Sequence, residues 1–70
     1  MKFIFEVEQE TDGRWIAEVI DIPGVMVYGK TPDVAIAKAK ALALRVLADR
    51  IESGEQPGPL NRIDFASASI

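Results

Sequence analysis

Residues 15–35, Trp15-Ile-Ala-Glu-Val-Ile-Asp-Ile-Pro-Gly-Val-Met-Val-Tyr-Gly-Lys-Thr-Pro-Asp-Val-Ala35, decide the layout of this chain. Trp15, Ala17 and Val19 alternate with Ile16 and Glu18, the period of a strand with one face buried. Ile22-Pro23-Gly24 is a tight turn: Pro23 presets its own φ, and Gly24 accepts a positive one. A second short strand, Val25–Tyr28, leaves the turn, and Gly29 breaks it. Thr31 is an N-cap whose hydroxyl can accept from the free amides of a first helical turn. Pro32 suits the first helical position, and Asp33 complements the positive helix end.

The neighbouring segments extend this frame. Phe3, Phe5 and Val7 alternate with Ile4, Glu6 and Glu8, and Thr11-Asp12-Gly13 supplies turn chemistry, with Gly13 free to take a positive φ. Matching the two apolar parities predicts Val7 opposite Trp15 and a Glu8–Arg14 pair. Beyond residue 32 the apolar spacing is helical. It gives one stripe of Ala35, Ala39, Leu42 and Val46, and another of Ile36, Ala43, Leu44, Leu47 and Ile51. Gly54 is the natural stop. Gln56-Pro57-Gly58-Pro59 reads as a stiff connection, Arg62–Ala66 as a last strand, and Ser67–Ile70 as a frayed tail.

The expected fold is therefore α+β: one β-β-β-α-β domain over 1–70. Its strands span about 2–9, 14–20, 25–28 and 62–66, and its helix about 32–53. A strand–helix–strand crossover is right-handed, which sets strand four beside strand one and parallel to it, in order 3-2-1-4. Gly13, Trp15, Pro23, Gly24, Gly29, Thr31 and Ala35 are architectural in this reading.

Composition narrows function by exclusion. Seventy residues, 49% of them hydrophobic, make one small domain. There is no Cys and no His, so disulfides and soft-ligand metal sites are excluded. A core this small gains from oligomerisation, and the second helix stripe (Ile36, Leu44, Leu47, Ile51) is the expected homo-oligomer interface. No secretory signal is visible, and charges interrupt the helix, so a cytoplasmic protein that does not enter membranes is expected. The net charge of −3 argues against nucleic acid as a direct partner.

Reactive chemistry is sparse. Glu6, Glu18 and Asp21 are the only carboxylates on the meander placed for acid–base or hard-metal work, and parity sets Glu6 and Glu18 on the face away from Trp15. Ser53, Ser67 and Ser69 lack a base, and no phosphate-binding glycine motif occurs. No catalytic residue, metal or cofactor is expected. On the third strand Val25 and Val27 share one parity and Met26 and Tyr28 the other, and one pair faces the helix; an outer Met26/Tyr28 pair beside Ile16 would be an apolar patch of the kind that marks a partner site.

The ordered set Asp12-Gly13, Trp15, Ala17, Pro23-Gly24, Gly29, Thr31 and Ala35 resembles the N-terminal domain of HicB-family antitoxins. That family shows an aromatic, an alanine two residues on, a proline-glycine turn, a glycine, a threonine cap and an alanine-bearing helix. The likeness covers about residues 3–55. It implies a partial ribonuclease-H-like fold and a non-catalytic role: covering a small, basic, HicA-like toxin that cleaves mRNA with a histidine. The residues placed to meet such a partner are Glu6, Glu8, Ile16, Glu18, Met26 and Tyr28. The alternative is a stand-alone oligomeric module that binds another protein or a ligand. Many family members carry a C-terminal DNA-binding domain. Nothing after Gly54 reads as one, so no direct DNA binding is expected of this chain.

Overall fold

The computed structural model describes residues 1–55, 58 and 62–68. In chain order the elements are β1 (Lys2–Gln9), β2 (Trp15–Val19), β3 (Met26–Gly29), α1 (Pro32–Glu52) and β4 (Asp64–Ser67). They form a four-stranded sheet in the order β3-β2-β1-β4, with β4 parallel to β1 and the other pairs antiparallel. α1 covers one face, so the molecule is the two-layer α+β unit expected from the turns and periods. Of the expected stiff connection, Gln56, Pro57 and Pro59 lie outside the described residues, as do Ser69 and Ile70 of the expected frayed tail.

Each boundary has a local cause. The Asp12 carboxylate accepts the Arg14 amide at 3.0 Å, and Gly13 takes φ 92°. The Glu10 amide donates to the Arg14 carbonyl at 2.7 Å, which closes a three-residue loop with glycine in the left-handed position. At the next turn the Val25 amide donates to the Ile22 carbonyl across Pro23 and Gly24 (φ 87°), a type II turn. The Thr31 hydroxyl accepts the Val34 amide at 3.2 Å, with Pro32 following as the first helical residue. At the other end Gly54 and Glu55 donate to the Ile51 and Arg50 carbonyls, a Schellman stop.

The hairpin register departs from expectation. Gln9, not Val7, stands opposite Trp15, while Val7 pairs with Ala17 and Glu8 with Ile16. The close turn at Thr11-Asp12-Gly13 draws both strands further together than hydrophobic matching requires. A slip of two residues keeps every side chain on its expected face. Arg14 turns to Asp12 at 2.7 Å instead of Glu8.

The core lies between sheet and helix. Phe3, Phe5, Ala17, Val19, Ile22 and Val25 meet Ala35, Ala39, Ala43 and Leu47 there. Trp15, Val27 and Phe65 are half-buried against it. Neither expected stripe meets the sheet as a unit. The buried residues instead follow the four-residue row of three alanines and Leu47, because small side chains let the helix approach the sheet closely. The approach is tightest at Gly29, where an added Cβ would lie 2.6 Å from the Ala35 amide nitrogen. Only glycine fits there, for want of space and not because of its φ.

Candidate functional site

Among the described residues nothing covers the sheet face opposite α1, and strand alternation decides what this open face carries. Even-numbered residues of β1 to β3 point to it: Glu6 and Glu8 from β1, Ile16 and Glu18 from β2, Met26 and Tyr28 from β3. All six residues expected to meet a partner therefore share one surface. Five of them, Glu6, Glu8, Ile16, Glu18 and Met26, line a shallow concavity of about 330 Å³ whose far side reaches Ala68.

The register sharpens its electrostatics. Glu6 stands directly opposite Glu18, and Glu18 is in turn opposite Met26. Like charges at facing positions of an antiparallel pair repel. Among the described residues, ion pairs form between Arg14 and Asp12 and between Arg62 and Asp64, and neither involves these glutamates. The result is a negative surface with apolar ground beside it: Met26 is 53% exposed and Tyr28 43%.

Tyr28 has a further neighbour. The Arg14 guanidinium stacks over its ring at 4.2 Å while holding Asp12, so the rim of this face is ordered by a cation–π contact. Asp12 itself is held below the ordinary carboxylate range, chiefly by the hydrogen bond from the Arg14 amide. Asp21 does not join the glutamates in a cluster. Its carboxylate accepts the Ile4 amide at 2.6 Å and extends the β1–β2 ladder by one bond.

Two features escaped the sequence reading. Ala68 borders the concavity because its amide donates to the Phe5 carbonyl and prolongs the β1–β4 pairing. Ile20 is 49% exposed on the same parity as Glu18 and could have been found by counting one step further along the strand. The residues expected at an oligomer interface separate. Leu44 and Ile51 are exposed, at 45% each. Leu47 is in the core and is not available to a second subunit, while Ile36 is half-buried against the core.

Chemically the face offers recognition. Among the described residues no polar or charged side chain is buried, and no three carboxylates converge as metal ligands. No helix among them is long and apolar enough to cross a membrane. No protein-family model, curated protein or solved structure matches this chain.

Proposed function

We propose that this chain is a non-catalytic, HicB-like antitoxin that covers the RNA-binding surface of a small, basic, mRNA-cleaving toxin. The observation that carries the reading is the open sheet face, where Glu6 and Glu18 oppose each other beside Ile16 and Met26. An RNA-cleaving partner must be cationic where the phosphates run. A surface that holds two uncompensated carboxylates next to apolar ground complements it: the charges draw the partner in, and the apolar residues supply buried contact. Blocking is then steric and electrostatic, and needs no chemistry from this chain. The turn and cap pattern that resembles the family supports the same reading.

The reading requires a small basic protein encoded beside this gene, and the test is co-expression with that neighbour. The two should co-purify, and growth arrest caused by the neighbour alone should be relieved. A neighbour that is harmless, or that never binds, would favour the alternative of a stand-alone binding module.

A further inference from the structure

Strand β3 is one edge of the sheet, and its register shows which backbone groups it leaves over. The Val19 amide donates to the Val25 carbonyl at 3.0 Å. In this antiparallel pairing Val25, Val27 and Gly29 therefore turn their backbone groups toward β2, and Met26 and Tyr28 turn theirs outward. The Met26 amide is used locally, donating to the Gly24 carbonyl at 3.1 Å. The Met26 carbonyl and both backbone groups of Tyr28 have no partner among the described residues. Edge strands are commonly blunted by charge or proline. Met26-Val27-Tyr28-Gly29 carries neither.

Beside this edge lies a second concavity, of about 370 Å³, between β3 and α1. Val27, Ala41 and Leu42 give it an apolar floor, and Lys38 and Arg45 stand on its helical wall. Both cations are exposed, and neither forms an ion pair among the described residues. Asp49 and Glu52, on the same side of α1, follow one and two turns past Arg45 and do not line the concavity.

We propose that an extended, acidic segment of another protein adds to β3 as a fifth strand and seats alternate side chains in this concavity. Strand addition draws affinity from the backbone and specificity from alternate side chains. A residue opposite Val27 points to the helix side, where Val27 and Leu42 favour an apolar group. The residues two before and two after it share that face, and carboxylates there reach Lys38 and Arg45. Those two acidic positions lie about 13 Å apart along a strand, and seven helical residues separate the cations by about 10 Å. Long basic side chains span the difference. The recognised pattern is thus acidic-x-apolar-x-acidic. A second copy of this chain would bring the same two cations to the edge, and a nucleic acid has no peptide groups to pair with Tyr28. The site uses the sheet edge and the flank of α1, so it stands whether or not the open face covers a toxin.

The probe is a fluorescein-labelled heptapeptide, Thr-Glu-Thr-Val-Thr-Glu-Thr, titrated by anisotropy with the intact chain up to about 1 mM at low salt. It should bind. Lys38→Glu/Arg45→Glu should weaken it at least ~10-fold with an unchanged circular dichroism spectrum, since both side chains are exposed. The isomer Glu-Glu-Thr-Thr-Val-Thr-Thr, of equal charge, should bind at least ~3-fold more weakly. Saturating peptide should slow hydrogen exchange of the outward Tyr28 amide at least ~10-fold. No binding up to the highest concentration would overturn the proposal. So would equal binding by the double variant, equal binding of the isomer, or an unchanged exchange rate at Tyr28.

Discussion

Glu6 and Glu18 face each other across β1 and β2 on the helix-free side of the sheet. Their Cβ atoms are then about 5 Å apart, close enough for like charges to destabilise the pair. Glu6→Gln is expected to raise the stability of the isolated protein by a few tenths of a kcal/mol, and Glu18→Gln to do the same. The double variant should gain less than the sum, since either change alone removes the repulsion. Urea titrations at low and high salt read this, and the gain should shrink as salt screens the pair.

Gly29 permits the closest approach between sheet and helix. A methyl there would meet the Ala35 nitrogen at 2.6 Å and its Cα at 2.9 Å, and backbone has nowhere to yield. Gly29→Ala should therefore cost about 1–3 kcal/mol by overpacking. Gly13→Ala should also be unfavourable, but for a different reason: its φ of 92° is strained for any side chain, although the space around it is open. Equilibrium unfolding of the two variants separates crowding from backbone strain, because only the first should be partly relieved by trimming Val34, whose Cγ1 lies 3.1 Å from the added Cβ.

Thr31 holds the start of α1 through its hydroxyl. Thr31→Ala should cost about 1 kcal/mol and Thr31→Ser much less, since serine keeps the acceptor. Hydrogen exchange should localise the loss to the first helical turn, with the Val34 amide among the first to lose protection.

Acid should act on the first hairpin turn through Asp12. Its folded-state pKa is depressed, so its contribution is present above the unfolded-state value and is lost as pH falls through the lower folded-state one. A carboxyl-detected NMR titration should show Asp12 protonating below the usual carboxylate range. The Arg14 amide resonance should move with it, as that amide donates to the carboxylate.

The architecture was legible because each element carries a local signal with a physical cause. Pro23-Gly24, Thr31-Pro32 and Gly54 fix the turn, the cap and the stop, and handedness fixes where β4 lies. The β1–β2 register was not legible. Hydrophobic matching is indifferent to a slip of two, and only the geometry of the Asp12–Arg14 turn decides between the registers. Glu6, Glu8, Ile16 and Glu18 were legible on the open face from parity, whereas which pair of the third strand joins them, Met26 and Tyr28, is settled only by the β2–β3 register. The electrostatics of the face were not legible, because Glu6 opposite Glu18 follows from the register. The helix faces were misassigned because a wheel ranks apolar residues by angle. The sheet instead selects the row with the smallest side chains, which buries Leu47 and leaves Val34 outside.

The most direct test of the central claim is inhibition of RNA cleavage. The small basic neighbour is assayed against an RNA substrate while the intact chain is titrated in. The account predicts stoichiometric loss of cleavage, weakened by added salt, and at least ~10-fold weaker for Glu6→Lys/Glu18→Lys at unchanged folding stability. Equal inhibition by this variant and the unaltered chain would contradict it, because the open face would then not be the surface that covers the partner.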